Sequence, residues 1–256
     1  MDLNFGSGYK TFSNEVRDFC IQWKGVNFSD GSKVPMGQNF EPTGKTITRP
    51  EWQSILIENG YFARSVPKEY GGYGGESDII KNRIIASMFS KYKIPPPMGG
   101  QGIDMLVPTL LELGTEEQKK QYIKPTLLGK IIWCQGYSEP NAGSDLAALQ
   151  TKGVLLDGNW VINGQKIWTS TAQYSQMMFC LVRTEPDAKK HAGISYLLIP
   201  MDTKGIEVRP LVDMTLKAGF NEVFFTDVTI PESNIVGKRG EGWAVANATL
   251  DHERSS

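Results

Sequence analysis

The hydrophobic period of this chain changes once, near Lys130, and that change limits the possible folds more than any other feature. Up to that point apolar residues recur at helical spacing. Tyr9, Phe12, Val16, Phe19, Cys20 and Trp23 step by threes and fours along one face. Ile80, Ile84, Ile85, Met88, Phe89 and Tyr92 repeat the pattern. Met105, Leu106, Leu110 and Leu111 form a third stripe, with Gly114 as its expected C′ residue. Thr115 and Gln118 then have capping-box spacing, and Lys119, Lys120 and Lys124 fall toward the end of the helix that follows. Ile94-Pro95-Pro96-Pro97 is a loop, since three consecutive prolines offer no amide donor.

Beyond Lys130 the runs become β-rich. Val154 to Leu156 and Trp160 to Ile162 flank Asp157-Gly158-Asn159, a hairpin signal. Further strands are expected over 177–182, 194–199 and 222–229. After Gly237-Lys238-Arg239-Gly240 the chain turns helical again, with Trp243, Val245, Ala246 and Leu250 available for packing. The expected fold class is α+β: a helical domain over 1–130, a small antiparallel β-barrel or sandwich over 131–236, and the start of a further helical domain over 237–256. The sequence reaches Ser256 soon after that last helix begins, so its apolar face is expected to be bare unless further chain or a partner covers it.

Composition removes several classes of function. The 256 residues exceed the usual domain size of about 100–200. A net charge of −1 gives no basic excess for nucleic acid or an anionic membrane. No apolar run approaches the roughly 20 residues of a membrane helix. Met1 to Gly6 lacks the pattern of a signal peptide, which makes the cytosol the default location. Two histidines, His191 and His252, exclude a three-histidine metal centre, and His191 reads as a solvated turn residue. Cys20, Cys134 and Cys180 form no C-x-x-C pair, so no zinc site is expected. Gly136-Tyr137-Ser138-Glu139-Pro140 is not a serine-hydrolase elbow, and neither G-x-G-x-x-G nor a P-loop is present.

Two segments carry more than fold. Trp133 to Asp145 follows the first expected strand with small residues and a proline, an open loop whose amides and the hydroxyls of Ser138 and Ser144 can approach an anion. By spacing alone, an ordinary strand-to-strand turn is the favoured reading. Lys166-Ile167-Trp168-Thr169-Ser170 ends a strand with an indole and hydroxyls; its plain reading is a buried core tryptophan.

Together the segments resemble the acyl-CoA dehydrogenase family. Ser138-Glu139-Pro140-Asn141-Ala142-Gly143-Ser144-Asp145 resembles its signature S/T-E-P-x-A-G-S-D, and three further stretches agree: Val66 to Gly72, Gly114 to Lys119 and Asn163 to Trp168. The resemblance implies an FAD flavoenzyme of lipid metabolism, an oxidoreductase that removes two hydrogens across Cα–Cβ of an acyl-CoA thioester. It implies flavin contacts from Gln135, Tyr137, Ser138, Trp168, Thr169 and Ser170. Gly143 and Ser144 would lie near the FAD pyrophosphate, with Ser144 also near substrate. The Trp133-Cys134-Gln135-Gly136-Tyr137 variant looks like the branch acting on long-chain, steroid-derived or xenobiotic acyl groups.

The same resemblance implies that Glu253, in Leu250-Asp251-His252-Glu253-Arg254, is the base, as in members that carry it on the helix opening the C-terminal domain. Without the resemblance, that stretch reads as a surface Glu–Arg helix end. Asp251 and Arg254 would bind substrate or order the helix. An electron-transfer flavoprotein is the implied acceptor, and a homo- or hetero-oligomer the implied assembly. Two alternatives share the motifs: an oxygen-using acyl-CoA oxidase or monooxygenase, and a flavin- or acyl-CoA-binding subunit of a heteromeric complex.

Overall fold

The computed structural model of the protein describes residues 7–29 and 45–255. The expectation drawn from Met1 to Gly6 lies outside the described residues. The chain divides into two compact units, residues 1–98 with 127–130 and residues 99–126 with 131–256. This division follows spatial packing, a different criterion from the period change at 130.

In the first unit, α1 (Ser7–Gln22), α2 (Arg49–Glu58) and α3 (Ile79–Tyr92) carry the core, and β1 (Asn27–Phe28) pairs in parallel with β2 (Thr46–Ile47). The first two apolar stripes meet there: Val16, Phe19 and Cys20 pack with Trp52, Leu56, Ile85 and Phe89. Phe19 stacks on Trp52 at 5.9 Å and on Phe89 at 6.1 Å. The proline loop is irregular, as expected, and its Pro95 carbonyl accepts from the Trp52 indole at 3.1 Å.

The second unit begins with a π-turn, Gly102–Leu106, continuing into α4 (Val107–Leu113) and α5 (Glu116–Leu127), whose final residue belongs to the first unit. Gly114 differs from expectation. Its φ of −76° and ψ of 156° are extended, so α4 ends without a left-handed C′ residue and the chain passes directly into the next cap. That cap is the expected one: Gln118 N donates to Thr115 Oγ1 at 3.2 Å and Thr115 N to Gln118 Oε1 at 3.1 Å. The Gln118 amide group also reaches the Ser233 and Ile235 carbonyls, fastening α5 to the β-region.

Eight strands form one sheet. They are β3 (Trp133–Gly136), β4 (Lys152–Leu156), β5 (Asn159–Ser170), β6 (Met177–Arg183), β7 (Ile194–Pro200), β8 (Ile206–Leu211), β9 (Phe220–Pro231) and β10 (Ile235–Val236). Their order is β10-β7-β6-β4-β5-β9-β8, with β3 also on β6. This corrects the expected antiparallel barrel or sandwich. The sheet is mixed, because β3 and β4 both run parallel to β6, and it is open, since among the described residues nothing pairs β8 with β10. The hairpin at Asp157-Gly158 is as expected, with φ of 48° and 75°, the left-handed pair of a type I′ turn.

Strands β3 and β4 occupy successive stretches of one edge of β6, at residues 177–180 and at Arg183. The loop over 137–151 therefore leaves β6 and returns to it, its two ends held by one rigid strand. The last helix, α6 (Gly242–Ser255), corrects a second expectation: its apolar face is covered. Val245, Ala246 and Thr249 are buried where α6 packs on α4, the π-turn and β7. No helix among the described residues is long and apolar enough to cross a membrane.

Candidate functional site

The loop after β3 is built around Glu139. A tight turn, with Pro140 and Asn141 at its centre, is closed by Glu139 N to Ala142 O and Ala142 N to Glu139 O, both 3.0 Å. Glu139, 8% exposed, folds its side chain back under it. Its Oε2 accepts from Gln150 N at 2.6 Å, and its Oε1 from Thr151 N at 2.9 Å and Lys166 Nζ at 2.8 Å. Lys166 is 0% exposed and also donates to the Tyr137 carbonyl at 3.1 Å. Burial pushes the Glu139 carboxyl up, but the Lys166 charge and the donated hydrogen bonds outweigh it and hold it below the usual carboxylate range.

The second segment lies directly against the first, Ile167 N donating to Ser138 O at 2.9 Å. The β5–β9 register slips between Lys166 and Thr169, and within that irregularity Trp168 takes a φ of 61°. The slip turns the indole outward. Trp168 is 61% exposed and meets the Phe220 ring edge-on at 6.1 Å, which overturns the plain reading of a buried core tryptophan. Thr169 is buried, and its carbonyl accepts from Asn221 Nδ2 at 2.9 Å. Ser170 is half-buried.

Three buried polar atoms in these segments, Gln135 Nε2, the Tyr137 hydroxyl and Thr169 Oγ1, have no hydrogen-bond partner, as does Gln101 Oε1 beside the π-turn. Buried polar groups are otherwise almost always paired. An amide and two hydroxyls left open on adjoining segments fit a planar heterocycle rich in acceptors and N–H groups. Gln135, Ser138, Thr169 and Ser170, the residues expected to contact the isoalloxazine of FAD, lie on these two adjoining segments, with Trp168 on the second. Tyr137 lies on the first segment as well. It is buried among the Thr249, Tyr196 and Gln135 side chains, and burial raises its phenol far above the ordinary value. Gly143 and Ser144 are exposed on the loop, and a Cβ at Gly143 would meet nothing within 4 Å. Beyond them Asp145 pairs with Lys190 at 2.5 Å.

On α6, Glu253 follows Thr249 by four residues, so it continues the packed face one turn further while remaining exposed. His252 Nε2 lies 3.4 Å from Glu112 Oε2. Asp251 and Arg254 pair with each other at 3.3 Å, both exposed. His191 is exposed, as expected, with its ring centroid 4.8 Å from that of Trp243.

Sequence reasoning missed Lys166 as an ion-pair partner, Asn221 and the Thr249–Tyr196 hydroxyls. One signal for Lys166 existed: it shares the inward parity of Trp160 and Ile162, where a lysine requires a buried acceptor. Nothing comparable marks the others.

Models of two domains match this chain: "Acyl-CoA dehydrogenase, N-terminal domain" over residues 28–130 and "Acyl-CoA dehydrogenase, middle domain" over residues 134–228. The acyl-CoA dehydrogenase IpdE1 of Mycolicibacterium smegmatis is 42% identical over 216 residues, covering 80% of this chain and 55% of that relative. The chain thus spans about half the length of the curated relatives it matches. Among solved structures, the Tcur3481-Tcur3483 steroid ACAD G363A variant has a TM-score of 0.73 at 29% identity, covering 96% of this chain and 62% of that one. The ChsE4-ChsE5 complex from Mycobacterium tuberculosis has a TM-score of 0.71, also at 29% identity, covering 98% of this chain and 61% of that one.

Proposed function

Because this chain belongs to the acyl-CoA dehydrogenase family, we propose that it forms the flavin- and acyl-binding part of an FAD-dependent oxidoreductase that dehydrogenates an acyl-CoA thioester between Cα and Cβ. The observation that carries the reading is the set of three unpartnered buried atoms, Gln135 Nε2, the Tyr137 hydroxyl and Thr169 Oγ1, on the two motif-bearing segments. Bound FAD supplies the acceptor for the hydride leaving the β-carbon. The residues of this chain hold and orient. Ser138 and Ser170 offer hydroxyl donors to the ring, Trp168 flanks it, and the exposed Gly143-Ser144 stretch approaches the pyrophosphate and the substrate.

Glu253 takes the α-proton. Its position one turn past Thr249, on the face by which α6 packs, supports that role. A free carboxylate is too weak a base for this proton, so hydrogen bonds to the thioester oxygen must stabilise the developing enolate. Asp251 and Arg254 bind substrate or order the helix, and their mutual pair favours the second.

The acyl group is assigned to the long-chain, steroid-derived or xenobiotic class, supported by the Trp133 to Tyr137 variant and by a solved neighbour named as a steroid ACAD. An electron-transfer flavoprotein is the proposed acceptor. Oligomeric assembly is proposed as well, with a two-protein complex among the solved neighbours. The division at 130 and 236 is the proposed domain organisation.

The test is anaerobic addition of acyl-CoA thioesters to the complete protein loaded with FAD. Wild-type flavin should bleach, while Glu253→Gln should retain flavin and lose about 10²–10⁴-fold in rate. Undiminished bleaching in the variant would move the base elsewhere, and a protein that never retains flavin would sink the reading.

A further inference from the structure

Lys166 is fully buried and Glu139 nearly so, yet each lies close in sequence to a residue assigned to the flavin. Glu139 follows Ser138, and Lys166 precedes Trp168 by two residues. A buried ion pair is weak support for stability, because desolvation cancels most of the attraction. Its value here lies in what Lys166 does with its other hydrogen bond.

The Lys166 ammonium, fixed on Glu139 Oε1 at 2.8 Å, also donates to the Tyr137 carbonyl at 3.1 Å. The peptide joining Tyr137 to Ser138 is planar and trans, so its carbonyl and its N–H point in opposite directions. Drawing the Tyr137 oxygen inward therefore aims the Ser138 N–H outward. The next peptide is pinned as well, since Ser138 O accepts from Ile167 N and Glu139 N donates to Ala142 O. Ser138 is left with a fixed backbone and only half burial, and neither its N–H nor its hydroxyl has a partner among the described residues. The Glu139 carboxylate in turn anchors both ends of the loop through Gln150 N and Thr151 N.

We propose that the buried Glu139–Lys166 pair is a positioning device. By holding the Tyr137 carbonyl inward, it presents the Ser138 amide and hydroxyl as two convergent donors to an acceptor edge of the flavin, at a set offset from Trp168. Neither residue touches the cofactor; both act through the 137–138 peptide. The inference rests on the flavin reading above.

Two measurements test it on the complete protein. In the first, hydrogen exchange at the Ser138 amide is followed without and with FAD. The amide should exchange freely without FAD and gain protection on its addition. Unchanged exchange in protein that demonstrably binds FAD would overturn the positioning role while leaving the flavin reading intact. In the second, Glu139→Gln combined with Lys166→Met removes both charges and the donor to Tyr137 at little change in volume. This variant should keep the wild-type fold by circular dichroism, weaken FAD binding about tenfold or more, and shift the flavin absorption bands. Lys166→Arg keeps charge and donor, and should hold FAD affinity within about threefold of wild type. A folded double variant with wild-type affinity and spectrum would overturn the proposal. So would a folded Lys166→Arg that loses as much affinity as the double variant. Wild-type protein that binds no FAD would instead overturn the reading on which the proposal rests.

Discussion

Glu139 shows how one side chain can tie local conformation to solution behaviour. Its carboxyl titrates lower in the folded protein than in the unfolded chain. The stability it contributes is therefore fully present above the unfolded carboxyl value of about 4.3 and is lost as pH falls through the lower folded value. Glu139→Gln leaves the Lys166 ammonium buried without a counter-charge, and urea unfolding at pH 7 should show a loss of about 3–5 kcal/mol. That difference should shrink below about pH 4; a difference independent of pH would mean that the charge of Glu139 contributes nothing. Trp168 makes the opposite case. A bulky residue in the left-handed region costs about 1–2 kcal/mol, so Trp168→Gly should change the unfolding free energy little while altering the spectrum of bound flavin. An unaltered spectrum would remove the indole from the flavin site. In the sequence both residues were visible only as parts of motifs. The inward parity of Lys166 was readable, but the register slip that exposes Trp168 was not, because a slip depends on the partner strand.

Elements were legible where local chemistry decides them. The apolar stripes, the Thr115–Gln118 cap and the Asp157-Gly158 turn all follow from neighbours in sequence. Strand direction does not, because a period of two is the same in parallel and antiparallel sheets, and β3 meets β6 across some forty residues of chain. Strand β8 was overlooked for another reason. Pro210 argues against a central strand, but β8 is the last strand in the sheet order, an edge that can accommodate proline. The covered face of α6 was equally hidden, since its partners α4 and β7 are distant in sequence. A Cβ on Gly242 would lie 2.5 Å from backbone atoms of Ser195 and Tyr196, which cannot swing aside. Gly242→Ala should therefore cost about 1–3 kcal/mol and raise hydrogen exchange along α6. Wild-type exchange there would show that α6 does not depend on this close approach.

Across the whole molecule, three free thiols report on its two compact units: Cys20 in one, Cys134 and Cys180 in the other. Burial pushes Cys134 up to about 12 and Cys20 and Cys180 up to about 11, so none is a thiolate near neutral pH. Iodoacetamide at pH 7.5 (about one unit below a free thiol) should leave all three unlabelled in water. Along a urea series Cys134 and Cys180 should become reactive together, since both belong to the sheet core. Separate midpoints for these two would show that the sheet does not open as one unit. The π-turn at Gly102–Leu106 bears on the length of the chain itself. It winds one residue more into its turn than an α-helix would, with Gly102 packed against Trp133 on one side and Thr109 joined to Thr249 on the other. Loss of one residue here returns the segment to an ordinary helix without moving Thr109 or α6. A single codon lost at this point should thus leave the packing of α4 against α6 in place.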